Sequence, residues 1–457
     1  MTTLRTGLLV VGAGLAGYAA ALEAARLGAQ VLLLEKTAQP GGSSVMSSGC
    51  MAFAGTELQR AAGVVDSPDL LARDLLEVGQ HENDPALVRA YASHQLETYS
   101  WLRGLGVQFS PAIDSSAGQS VPRVHTVDPA HMVAQLADAC RQTGRVQVVT
   151  ATRAMRLRRD GGAGAVTGVR AEGPAGAFDI EAANGVVLAS GGFSNNIELV
   201  RRFAPQVAQA VFVGGEGATG DGLLMAWAHG ADLRDMAFIK GTFGKHPNDT
   251  SNNHPCLAVY KGAIAVNRNG RRFVDESLSY KLLGDEVLRQ PGHTGFQVFD
   301  QPVFERGDER VRIFDFARRL EQGLLLQAPT LPALARLAGL PEAALGEEVA
   351  LYNSAVEAGR DPQFGRDSLV HGQGMLRPIT QAPFYAYPSA AAVFGTYCGL
   401  RIDGTMRVID VFDQPIAGLY AAGEVVGGLH GGAYMTGSAL GKAVVFGRLA
   451  ARSAVGA

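Results

Sequence analysis

An α/β fold is what this 457-residue sequence predicts: an open, doubly wound sheet interrupted by an inserted α+β domain. Three observations predict it. A strand, a glycine turn and a helix open the chain. The same strand-and-glycine texture returns near residue 391. Between about 238 and 390 the composition shifts toward Asn, Pro, Asp and Arg.

The opening unit reads "GLLVVGAGLAG", then "YAAALEAARLGA" with helical periodicity, then "QVLLLEK" as a second strand. That is a βαβ unit. Residues 67–109 carry apolar positions at three- and four-residue spacing and predict helices, as does "HMVAQLADACRQTG". "VQVVTATRAMRLRRD", "AVTGVRAEG" and "FDIEAANGVVLASGGF" predict strands, the last feeding back into the first sheet. The inserted part predicts a strand-turn at "GAIAVNRNGRRFV" and helices at "TLPALARLAGL" and "PEAALGEEVALYNSAVEAG". "RRFVDESLSYK" reads as a charged loop, and "GSALGKAVVFGRLAARSAV" as the closing helix. The expected domains are 1–237 and 391–457, forming one unit, with 238–390 as the insertion.

Hydrophobic residues make up 47% of the chain and charged residues 18%, which is enough for a sizeable core. A net charge of −3 gives no electrostatic case for nucleic acid or an anionic membrane. Cys50, Cys140, Cys256 and Cys398 stand far apart, so no metal site is predicted, and a reducing, cytoplasmic setting is expected. No apolar run is long enough to span a bilayer, and the N-terminal one reads as a strand rather than a targeting segment.

Gly12, Gly14 and Gly17 form GxGxxG between strand and helix, with Ala16 beside them. The first glycine permits the turn, the second lets backbone approach a pyrophosphate, and the third lets helix and strand pack. The helix N-terminus offers free N–H groups to phosphate. Glu35 closes the second strand, at the spacing of a carboxylate that accepts from ribose hydroxyls, and Lys36 follows. Next comes a second glycine-rich segment, with Gly41, Gly42, Ser43, Ser48 and Gly49, where a plain crossover would otherwise stand. That arrangement favours FAD over NAD. Gly423 and Glu424 in "GLYAAGEVVGG" offer a second glycine turn for the ribityl and ring end.

"VVGAGLAG…LLLEK", "PGGSSVMSSG", "ASGGFSNN", "GATGDGLLMAWAHGA", "NRNGRRFVDES" and "GLYAAGEVVGG…GSALGKAVVFGRLAA", in this order, resemble the flavoprotein superfamily of fumarate reductases, succinate dehydrogenases and 3-ketosteroid dehydrogenases. The resemblance implies a Rossmann-like, glutathione-reductase type FAD-binding domain split by a mobile cap, with catalysis between them. It adds Ala189, Gly191, Asp221, Ser438, Ala439 and Leu440 to the expected FAD contacts. Members with covalent FAD use a histidine in the segment equivalent to 43–49. Only Ser, Val, Met and Gly stand there in this chain, so noncovalent FAD is expected.

The fumarate-reductase branch grips a dicarboxylate with histidines and arginines, and this chain departs from that pattern. Thr242 and Gly395 stand where clamp histidines would be, and Tyr434 or Met435 replaces a clamp arginine. "CLAVYKG" lacks the Glu and Arg of the proton path, and Tyr280 replaces the proton-donating arginine. The site therefore resembles more closely the ketosteroid dehydrogenases, which carry a tyrosine base in this loop and a second tyrosine before the last helix. A cavity without fixed cations is expected, holding a cyclic ketone or a 3-ketosteroid-like substrate.

On this reading Tyr280 is the base for the α-proton, and the β-hydride goes to flavin N5. Tyr434 O–H and a backbone N–H near Gly437 or Ser438 stabilise the carbonyl oxygen. Lys281, nearby arginines or Tyr397 would activate Tyr280. His125 and His430 are secondary candidates, and Glu276 reads as structural. The expected activity is thus an FAD-dependent dehydrogenation beside a ketone, with an external electron acceptor. The alternatives are a flavin ene-reductase of an enone or unsaturated carboxylate, and a non-catalytic FAD-binding subunit.

Overall fold

In the computed structural model, residues 3–116, 118–162, 164–239, 241–249, 254–370, 372 and 374–456 are described. The strand Leu8–Val11 is buried along its whole length, as a strand covered on both faces requires. It lies inside a six-stranded sheet ordered Arg407–Ile409, Pro415–Ala421, Val186–Leu188, Leu8–Val11, Val31–Leu34 and Val146–Val149. The pairing of the first two strands is antiparallel and the others are parallel. The N-terminal and C-terminal parts of the chain thus share one sheet.

The helix Leu15–Arg26 follows the glycine turn and packs against the closing helix Ser438–Val455. Small residues make the approach close: a Cβ on Gly447 would lie 2.5 Å from the Ala16 carbonyl oxygen. The closing helix starts at Gly437, whose φ of +89° favours glycine.

The inserted part has its own sheet, ordered Val211–Phe212, Phe384–Val393, Thr294–Asp300 and Ile264–Asn267. Thr242–Lys245 and Leu326–Ala328 also pair with Phe384–Val393. Ile264, Val266, Val298, Leu334 and Leu345 form a separate core beneath it. Leu233–Arg234 pairs with Gly399–Leu400, joining the chain just before the insertion to the chain just after it. Val211–Phe212 reaches forward into the cap sheet from before residue 238.

The charged stretch around Arg272 is not a surface loop. Arg272 bonds Glu276 at 2.7 Å and Asp361 at 3.0 Å, and Arg366 bonds Glu276 at 3.2 Å, with all four side chains buried. The charges neutralise one another inside, which fits Glu276 as structural. The chain then enters a helix, Tyr280–Leu288, capped by Ser279.

Candidate active site

One continuous cavity runs from the glycine turn to the junction of the two parts. Gly12, Gly14 and Ala16 line it at the first turn, and Glu35 and Lys36 follow at the end of the second strand. Gly42, Ser43 and Ser48 form another wall, and Ala189, Gly191 and Asp221 a third. Gly423, Glu424, Ala439 and Leu440 complete it.

Gly17, Gly41, Gly49 and Ser438 stand behind this wall. A Cβ on Gly17 would meet the Gly12 carbonyl oxygen at 1.8 Å, so this glycine serves helix–strand packing. Gly41 N–H donates to the Ala13 carbonyl at 2.9 Å. A Cβ on Gly49 would meet the Val127 carbonyl oxygen at 1.9 Å. Ser438 Oγ donates to the Met435 carbonyl at 2.7 Å.

Two acids have tasks the sequence did not reveal. Asp221 pairs with Lys36 at 2.7 Å and Arg153 at 2.7 Å. Burial opposes its ionisation, but the two cations outweigh it and hold the carboxyl below the ordinary range. Glu424 Oε1 accepts the Thr396 N–H at 2.8 Å and so braces the next residue, Tyr397, at φ +54°. A bulky residue held there stores on the order of 1 kcal/mol, which the buried carboxylate offsets. Burial pushes the Glu424 carboxyl up.

Tyr280, Tyr434 and Tyr397 meet at the far end of the cavity. Their ring centroids lie 6.0 Å (Tyr280–Tyr434) and 4.7 Å (Tyr397–Tyr434) apart. Tyr434 Oη accepts the Gly437 N–H at 3.1 Å. The two groups expected to converge on a carbonyl therefore bond each other, and Gly437 does not line the cavity. An N–H that binds a phenol oxygen polarises its O–H, so Tyr434 remains the donor. Burial pushes Tyr434 up to about 12, and the Gly437 and Ala439 N–H groups offset part of that.

Tyr280 is buried, and its Oη accepts from Thr436 Oγ1 at 3.4 Å. Burial first, then Tyr434 and Tyr397, raise its phenol well above the ordinary value. Lys281 Nζ donates to Thr242 Oγ1 at 2.6 Å and lies 4.3 Å from the Tyr397 ring centroid. The hydroxyl on Tyr280 is thus that of Thr436, which sequence reasoning did not single out.

The expectation of a cavity without fixed cations needs correcting. Arg312 of the cap lines it and donates to the Met46 carbonyl at 3.3 Å. Lys442 lines it as well, with Nζ 2.9 Å from the Val426 carbonyl oxygen. Burial pulls Lys442 down to about 8, against Glu424 and Asp235. His430 packs edge-on against Tyr397 and Tyr434, and its Nδ1 meets Ser438 Oγ at 3.2 Å. His125 lies away from the cavity, bonded to Thr56 Oγ1 at 2.8 Å and the Arg123 carbonyl at 2.9 Å. Among the described residues, no cluster of metal-ligating side chains occurs and no helix is long and apolar enough to cross a membrane.

A family model described as an FAD binding domain matches residues 7–440. The chain belongs to that family. It is a flavoprotein oxidoreductase related to fumarate reductases. A fumarate reductase (cytochrome) of Shewanella frigidimarina is 33% identical over 463 residues, covering 98% of this chain and 76% of that protein. The open conformation of a flavocytochrome c3 fumarate reductase matches with a TM-score of 0.81 at 31% identity, covering 99% of this chain and 78% of that one. A 3-ketosteroid-Δ4-(5α)-dehydrogenase from Rhodococcus jostii RHA1 matches with a TM-score of 0.79 at 26% identity, covering 99% and 97%. The fold is thus the FAD-binding fold these flavoproteins share.

The residues of the flavoprotein fit FAD. A carboxylate has about four acceptor sites. Glu35 Oε1 takes the Thr37 N–H at 2.9 Å and Oε2 takes the Ala13 N–H at 3.0 Å, which leaves acceptor capacity for a ribose hydroxyl. Ser190 Oγ, on the cavity wall, is buried and has no hydrogen-bond partner among the described residues. Gly191, at φ +73°, has open space where a Cβ would stand. A dinucleotide that runs along this wall would use each of these.

Proposed function

We propose that the flavoprotein transfers hydrogen across a carbon–carbon bond conjugated to a ketone, with Tyr280 carrying the α-proton and Tyr434 holding the carbonyl oxygen. The observation that carries this reading is the meeting of the Tyr280 and Tyr434 phenols on the wall of the cavity that also holds the glycine turn. Bound FAD supplies the two-electron, hydride-transferring chemistry.

The protein's own residues do the rest. Tyr434, polarised by the Gly437 N–H, donates to the oxygen on which charge develops. The apolar side chains of Phe243, Leu257 and Ile313 on the wall exclude water. Lys442 and the start of the closing helix offer positive charge at the same end.

Dehydrogenation needs Tyr280 as a base, and burial keeps that phenol protonated. A protonated phenol is ready to donate. This favours the reductive sense, the ene-reductase alternative, and agrees with the reductase name of the Shewanella relative. A second reading has its own support: Arg312 on the wall suits an unsaturated carboxylate.

The test is anaerobic mixing of the FAD-loaded protein with cyclic ketones and 3-ketosteroids, and of its dithionite-reduced form with cyclic enones and fumarate. The ketone reading expects flavin absorbance to respond to ketones or enones and not to fumarate. A response to fumarate alone would replace it with the carboxylate reading.

A further inference from the structure

Lys281 holds its charge at a place that disfavours one. The residue is 1% exposed, and taking an ammonium out of water is costly. It also stands in the first turn of the helix Tyr280–Leu288, where the helix dipole repels a cation. The fold nevertheless seats it tightly. Gly284, three residues on and on the same face, has no room for a Cβ, which would meet the Gly241 carbonyl oxygen at 2.1 Å. The helix therefore lies directly on the strand Thr242–Lys245, and Lys281 Nζ reaches Thr242 Oγ1 at 2.6 Å.

Two of the groups that this ammonium touches, Thr242 and Tyr397, line the cofactor cavity. Thr242 Oγ1 accepts from Lys281, so its own proton is left for another acceptor. The same Nζ sits 4.3 Å from the centroid of the Tyr397 ring. A positive charge over an aromatic face draws on the ring's electrons and makes its O–H a stronger donor. Burial keeps the Tyr397 phenol protonated. Its ring lies 4.7 Å from that of Tyr434, and Glu424 fixes its backbone through the Thr396 N–H. Two O–H donors backed by one cation thus stand beside the tyrosine that holds the carbonyl oxygen.

We propose that Thr242 and Tyr397, both backed by Lys281, form a second oxygen-binding point, and that the substrate carries a second acceptor oxygen, carbonyl or hydroxyl, near its conjugated ketone. The proposal deepens the reading of the site as one for a conjugated ketone and rests on Tyr434 as the holder of the first oxygen. No bond of the substrate changes at this point, which orients the molecule and selects among ketones. Lys281 acts through the two hydroxyls and is a positioning residue. A buried site built to bond an oxygen rejects the analogue that lacks it, because its donors are then left unpaired. Ketones with a single oxygen therefore bind weakly here.

The test uses oxidised, FAD-loaded protein and two flat mimics of the enol, phenol with one oxygen and resorcinol with two. Binding is read from the perturbed flavin absorbance, without turnover. Resorcinol should bind at least about 10-fold more tightly than phenol. Thr242→Val and Lys281→Met should each cut that preference to below about 3-fold with FAD affinity unchanged, and Thr242→Ser should keep it. Resorcinol that binds no more tightly than phenol to the wild type, or a preference that survives both Thr242→Val and Lys281→Met, would overturn the second point. The ketone reading fails on a separate result, a flavin response to fumarate and to no ketone or enone. The phenol comparison needs no turnover, so it decides on the second point in either case.

Discussion

The phenol oxygen of Tyr434 accepts the backbone N–H of Gly437 at 3.1 Å, across the turn that starts the closing helix. That bond fixes the ring and leaves its O–H for a ligand oxygen. Tyr434→Phe removes the donor and leaves the Gly437 N–H without its acceptor. Turnover with a ketone or enone should fall by about 10²–10³-fold, while FAD affinity, measured by fluorescence titration, stays unchanged. A large loss of FAD affinity instead would make Tyr434 a cofactor-packing residue.

Arg312 separates the two substrate readings, because a guanidinium anchors a carboxylate and has no such partner on a ketone. Arg312→Gln should leave enone turnover within about 3-fold of wild type, a change under 1 kcal/mol. If the natural substrate is an unsaturated acid, KM for that acid should rise by at least about 10-fold, the 1.4 kcal/mol of a single lost charge contact. Steady-state kinetics on both substrate types decides between them.

His125 predicts an acid limb in stability. It is fully buried, and burial pulls its imidazole down to about 4, against the Arg123 carbonyl and the nearby Glu57 and Asp66. The unfolded chain takes up this proton near the ordinary histidine value, whereas the folded protein resists until about pH 4. Stability is therefore highest above about pH 6.5 and falls as pH drops toward 4, by about 3 kcal/mol in total. Urea unfolding at pH 7.5 and 4.5 should show a smaller difference in His125→Gln than in wild type by about that amount.

The cofactor half of the site was legible because its signals are local. Gly12, Gly17 and Glu35 sit within one βαβ unit, and each has a steric or hydrogen-bonding reason visible in the sequence. Tyr280 and Tyr434 were found through motif resemblance. Thr436 was not, because it meets Tyr280 across 156 residues of sequence and a hydroxyl has no sequence signature. Arg312 reaches the cavity from the cap, with no motif around it. Glu424 was assigned to the cofactor, while its carboxylate also braces Tyr397, a task that only the fold reveals. The stretch near Arg272 read only as a charged loop because sequence cannot show Asp361 and Arg366 closing in on it.

The most direct measurement is single-turnover oxidation of the reduced flavin by a cyclic enone, in wild type and Tyr280→Phe, with the product recovered from D2O. The wild type should place solvent deuterium on the α-carbon, and Tyr280→Phe should be slower by about 10²-fold or more at unchanged KM. Equal rates in the two proteins, with identical labelling of the product, would contradict the role given to Tyr280.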